Sequence, residues 1–196
     1  MKFVKELDAK YINRDKVVGS IEFPDGLCNI TDPCYEKDTW CALYDVKIKP
    51  GMYKALIDEV DFPSIWKAED NLDAFMHDVN VGDSYEVHDT RIMALTIIHE
   101  DYMGSYRYAH YNRYKLSNQI GVDSGMCGFY NYKPDFSSDE DWDNFWQSLN
   151  KTEHDNVCDC SRADGVTVSS GFGDGCYTVY KLVKDRKTIG LQLIFN

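Results

Sequence analysis

Long apolar runs are missing from this chain of 196 residues. None approaches the ~18 residues that a membrane-spanning helix needs, so no membrane partner is expected. The opening Met1-Lys-Phe-Val-Lys-Glu6 carries charge where a secretory leader would be apolar, and the expected compartment is the cytoplasm. Positive charge is scarce: 21 Lys and Arg stand against 33 Asp and Glu, a formal charge of −12. That argues against direct nucleic-acid binding, which needs cations along the phosphates. The G-x-S-x-G, H-E-x-x-H, Walker A and dinucleotide fingerprints are absent. Repeats, linkers and low-complexity segments are absent too. The seven cysteines are an odd count, read as reduced thiols rather than a disulfide frame.

What is present reads as one globular domain over 1–196. Hydrophobic residues make up 43% and charged residues 28%, and this length can bury a useful core. Val17–Phe23 and Leu27–Thr31 read as strands around a Pro24-Asp-Gly26 turn. Cys41–Lys49 alternates, with Tyr44, Val46 and Ile48 on one face. Pro50-Gly51 then turns into Met52–Ile57, which predicts a hairpin. Leu72, Phe75, Met76 and Val79 have the spacing of a short helix. Arg91–Ile98 suits a central strand, and Gln119–Gly125 and Met126–Tyr130 are short strands. Ser137 and Glu140 form a capping box ahead of Trp142, Phe145, Trp146 and Leu149, predicting an amphipathic helix over 137–150. Val166–Ser170, Cys176–Val183 and Thr188–Phe195 close the chain as strands. The expected fold is mainly β: an antiparallel β-sandwich or partly closed barrel with one amphipathic helix.

Chemistry is expected first at the glycine corners. Ser169–Tyr180, SSGFGDGCYTVY, places Gly171, Gly173 and Gly175 around Asp174. Its N–H groups would cradle an anion if turned inward, or close a hairpin if turned outward. Asp32, Asp123 and Asp174 each sit beside Pro or Gly at a strand end. Gathered together, they would hold a hard cation or serve as acid and base in a hydrolase. Separately, each would cap its own turn. The second region is Tyr102–Lys115, where five tyrosines alternate with Arg107, Arg113 and Lys115. Tyrosine faces stack on bases and arginine pairs with phosphate. The plainer reading is tyrosine packing at the core edge. Third, His154, Cys158, Cys160 and Cys176 are candidate zinc ligands, against a reading as inert thiols; no cofactor is otherwise expected. Fourth, Asp135–Asp159 holds eight acids and one Lys, either a solvated face or a decoy for a basic protein.

The segments ITDPCY, KPGMY, GVDSGMCGFY and SGFGDGCYTVY, in order from Leu27 to Phe195, resemble a domain-of-unknown-function family of bacterial and phage proteins. The resemblance implies a compact β-rich domain and, loosely, a setting of phage–bacterial conflict. It implies no activity. The leading expectation is a non-catalytic binding protein for a small anionic or nucleotide-like ligand. Tyr106, Arg107, Tyr108, Tyr111 and Arg113 would supply one set of contacts. Ser124, Gly171, Gly173, Asp174 and Tyr177 would supply the other. The alternatives are a hydrolase using Asp32, Asp123 and Asp174, and an acidic protein that blocks a basic partner.

Overall fold

A computed structural model describes residues 1–36, 38–106, 111–132 and 165–196, with Glu140, Asp143 and Gln147 between them. The chain runs β1 (Lys2–Glu6), β2 (Lys10–Phe23), β3 (Leu27–Thr31), β4 (Leu43–Lys47), β5 (Gly51–Asp61), β6 (Ser64–Lys67), α1 (Asn71–Met76), β7 (Ser84–Val87) and β8 (Thr90–His99). A single 3-10 turn (Glu100–Tyr102) and α2 (Met103–Tyr106) follow. Then come β9 (Asn112–Val122), β10 (Met126–Tyr130), β11 (Gly165–Ser169), β12 (Gly175–Lys184) and β13 (Lys187–Ile194).

The fold is a β-sandwich, not a closed barrel. A six-stranded sheet, β2-β5-β8-β13-β12-β9, faces a four-stranded sheet, β11-β10-β3-β4. Every pairing is antiparallel. The core lies between them: Phe23, Tyr53, Ile97, Leu191 and Leu193 from one sheet meet Cys28, Ile30, Phe129, Val166 and Val168 from the other. Alternation along each strand produces this, because a period of two sends every second side chain inward. Burying a large apolar side chain contributes about 1.5–3 kcal/mol, so this layer dominates the stability. A third sheet, β1-β6-β7, carries α1 on a small cluster of Ala68, Ala74 and Tyr85.

Two predicted hairpins are corrected. β4 pairs with β3, and β5 pairs with β2 and β8, so Pro50-Gly51 carries the chain from one sheet to the other. β11 likewise pairs with β10 while β12 pairs with β9 and β13, so the Gly171–Gly175 loop is also a crossing between sheets. The period of β4 shifts as well. Asp45 has φ 55°, and Leu43 and Val46, three residues apart, both pack on the core. Glu140, Asp143 and Gln147 are helical and exposed, spaced as one face of the helix expected over 137–150. Trp142, Phe145, Trp146 and Leu149 lie outside the described residues. Among the described residues, no helix is long and apolar enough to cross a membrane.

Candidate ligand-binding site

The glycine–aspartate corners do meet. β9 ends and β12 begins side by side, with Gly175 opposite Val122, so the 123–125 and 170–174 turns share one end of the sandwich. A β-carbon built on Gly125 would lie 4.0 Å from the Gly173 Cα, and the Ser170 N–H donates to the Gly125 carbonyl at 2.9 Å. Asp32 lies beneath them, fully buried. Its Oδ1 accepts from the Cys34 N–H at 2.8 Å and the Ser124 hydroxyl at 2.7 Å. Its Oδ2 accepts from the N–H groups of Asp123 and Ser124, both at 2.8 Å.

Four donors saturate this carboxylate, so its lone pairs are engaged in tying β3 to the β9–β10 turn. Asp123, whose N–H it holds, is exposed, and so is Asp174 in the neighbouring 170–174 turn. Among the described residues, no group of three or more His, Cys, Asp and Glu side chains is placed to hold a metal ion. Cys34 stands next to Asp32 and Ser124, and burial pushes its thiol up to about 11. That leaves almost no thiolate at neutral pH. Of the zinc candidates, Cys176 is an exposed free thiol, and His154, Cys158 and Cys160 lie outside the described residues.

The glycine loop turns on itself. Gly173 donates its N–H to the Ser170 carbonyl at 3.0 Å, and the Ser170 hydroxyl donates back to the Gly173 carbonyl at 2.6 Å. The buried Tyr177 hydroxyl points at the same two carbonyls, at 2.9 and 2.7 Å. Gly171 has φ +55°, and a side chain there would strike the Ile92 carbonyl and Phe195. Ser124, Gly173 and Tyr177 therefore hold the corner together. Phe172 leaves it, resting on Phe62 with ring centroids 5.5 Å apart and lying beneath the Arg91 guanidinium at 4.5 Å.

The tyrosine stretch divides. Tyr106 is buried, donates to Asp15 Oδ1 at 2.9 Å and stacks on Tyr111 at 5.2 Å. Together with Tyr102 and Met103 it packs with Leu56, Ile98, Leu182 and Ile189 in a second apolar cluster, apart from the core; Leu56 and Ile98 alternate with core residues and so lie on the outer face of the six-stranded sheet. Arg107 and Tyr108 lie outside the described residues. Arg113 is exposed on β9, its guanidinium 5.9 Å from the Tyr111 ring.

Arg113 also borders a groove of about 380 Å³ on that outer face. The sheet register explains the groove. Asp58 of β5, Ala94 of β8 and Ile194 of β13 lie in one row across three strands, and Ala94 is the small residue in the middle. Tyr11 and Phe62 are aromatic walls, and Gln192 forms part of the floor. Gln192 is only 2% exposed. Its Nε2 donates to Thr96 Oγ1 at 2.9 Å, while its buried Oε1 has no partner among the described residues. Such an acceptor costs roughly 1–3 kcal/mol unless something donates to it. Burial raises the Asp58 carboxyl above its ordinary range, against the pull of the Asp15 N–H, Arg14 and Arg113.

No family model, curated protein or solved structure matches the chain.

A second cleft, of about 490 Å³, is lined by Lys47 and Lys49 at the end of β4 together with Tyr102 and Lys187. Lys49 pairs with Asp101 and lies 5.3 Å from the Tyr102 ring.

The sequence reading passed over Asp58, Ala94 and Gln192. One signal was available. In Lys187–Ile194 the residues Thr188, Gly190 and Gln192 alternate with Ile189, Leu191 and Leu193. That pattern gives Gln192 to the face opposite the core.

Proposed function

We propose that the protein is a non-catalytic binding protein for a small anionic, nucleotide-like ligand seated in the outer groove. One observation carries this reading: a groove of about 380 Å³ brings the cationic Arg113 and the aromatic side chains of Tyr11 and Phe62 to one place. The volume falls in the range of small-molecule sites. Arg113 would pair with the anionic group. Tyr11 and Phe62 would pack on a planar ring. Gln192, only 2% exposed, would lie beneath that ring. A hydrolase built on Asp32 has less support, because four hydrogen bonds already occupy that carboxylate.

The test is a thermal-shift panel of nucleoside mono-, di- and triphosphates. A ligand at 100 times its Kd adds ~2.7 kcal/mol to the folded state, a readable rise in Tm. Ala94→Leu fills the groove and is expected to abolish the shift. Arg113→Glu removes a charge-assisted contact of about 1.5–3 kcal/mol, weakening binding by roughly ten- to a hundredfold. No shift with any nucleotide refutes the reading. Binding that survives both substitutions and is lost in Lys187→Glu moves the seat to the lysine cleft.

A further inference from the structure

The sequence marks Leu72, Phe75, Met76 and Val79 as the apolar face of a short helix, a face that ordinarily points inward; Val79, beyond the helix end at Met76, does pack on the Tyr85 cluster. α1 does form. Asp70 caps it, accepting the N–H groups of Leu72 and Asp73 at 2.9 Å each. The helix is turned the other way, however. Ala74 is its buried residue, packed with Ala68 and Tyr85. Leu72 is 69% exposed, Phe75 82% and Met76 69%. The spacing i, i+3 and i+4 puts these three side chains together on one surface, and Val81 is exposed in the following turn. Scattered exposed apolar residues need no explanation; three large ones side by side mark an interaction surface.

The charge around them selects the partner. From Ala68 to Thr90 the chain holds Glu69, Asp70, Asp73, Asp78, Asp83, Glu86 and Asp89, with no Lys or Arg. Glu69 and Asp73 pair with the N-terminal ammonium, and Asp70 and Asp78 are exposed at the two ends of the helix. Two copies docked through this face would bring both acidic rims within a Debye length of each other. An anionic bilayer surface would be repelled in the same way. A segment with apolar anchors flanked by Lys and Arg satisfies both the patch and its rim.

We propose that the exposed face of α1 is a docking surface for a basic amphipathic segment of another protein. Leu72, Phe75 and Met76 take its apolar side chains, and Asp70 and Asp78 face its cations. The surface is separate from the outer groove, so either proposal can fail alone.

The probe is an amphipathic Leu–Lys helical peptide, titrated against the full chain by fluorescence anisotropy. Its control keeps every Lys and replaces each Leu by Ser. Wild type is expected to bind the Leu–Lys peptide at least roughly tenfold tighter than the control, and to lose affinity as salt rises. Phe75→Ser and Met76→Ser together should remove that preference. Because both side chains are exposed, the variant should keep its unfolding midpoint. Asp70→Asn, which keeps the helix cap, with Asp78→Asn should weaken binding at low salt and leave the high-salt affinity unchanged. Three results overturn the proposal: no binding of the Leu–Lys peptide, equal affinity for the control peptide, or undiminished binding by the Phe75/Met76 variant. Sedimentation showing a wild-type dimer that Phe75→Ser dissolves would also overturn it, since a second copy would then be the occupant.

Discussion

Asp32 and Ser124 are joined twice. One carboxylate oxygen accepts the Ser124 N–H at 2.8 Å and the other accepts its hydroxyl at 2.7 Å. The two residues are 92 positions apart, and the pair fastens the four-stranded sheet to the corner where β9 leaves the six-stranded one.

Replacing Asp32 by Asn turns one acceptor oxygen into a donor facing donors. The expected loss is about 2–3 kcal/mol of stability, since the bonds are charge-assisted and buried. Ser124→Ala should cost about 1 kcal/mol. Urea denaturation reads both. A hydrolytic role would give the opposite pattern for Asp32→Asn, native stability with lost turnover.

Gly121 lies beside the same corner. A β-carbon there would sit 2.8 Å from the Cys41 sulfur and 3.2 Å from the Tyr35 hydroxyl oxygen. Gly121 also donates its N–H to the Cys41 carbonyl at 2.9 Å, which holds the 32–42 connector against the sheet edge. Gly121→Ala is expected to destabilise by about 1–3 kcal/mol, because the connector must shift to admit one methyl. An unchanged urea midpoint would show that the connector yields freely.

His88 and Asp61 form a pH-dependent tie. Asp61 Oδ2 lies 2.7 Å from His88 Nδ1, and this hydrogen bond, followed by the charge of Asp61, raises the imidazole pKa above 6.5. A raised folded-state pKa stabilises fully below the unfolded value and is lost as pH climbs through the folded one. Stability should therefore fall as pH rises from about 6.5. His88→Gln should flatten that part of the curve. Urea midpoints at several pH values, alongside an NMR titration of the ring protons, would check it. A midpoint that rises over this interval contradicts the assignment.

Thiol reactivity should follow exposure. Cys176 is exposed, while Cys28, Cys41 and Cys127 are buried. Cys34, with its pKa of about 11, has about 0.1% thiolate at pH 8. Brief iodoacetamide treatment followed by peptide mapping should label Cys176 well ahead of these four. Faster labelling of Cys34 would mean that its corner opens in solution.

Much of the strand pattern was legible in the residues. Leu27–Thr31 is β3 as read, and Arg91–Ile98 lies inside β8 in the interior of the six-stranded sheet. Alternation and turn residues are local signals, and one chain segment carries them whole. Partner choice is not local. Pro50-Gly51 and Gly171–Gly175 have the composition of hairpin turns, yet each joins strands of different sheets. A tight turn reverses the chain in either case, and only the rest of the sandwich decides which neighbour it meets.

The amino-acid order by itself determined the class of fold, the acidic balance, and the corners where Asp32, Asp123 and Gly171–Gly175 turn. Tertiary structure alone decided that Asp32 is saturated by four donors, that Gln192 lies buried under the outer groove, and that α1 shows its apolar side to solvent. The reason is physical. A residue's type fixes what bonds it can make, but the groups that reach it come from strands dozens of positions away, and folding alone brings them there.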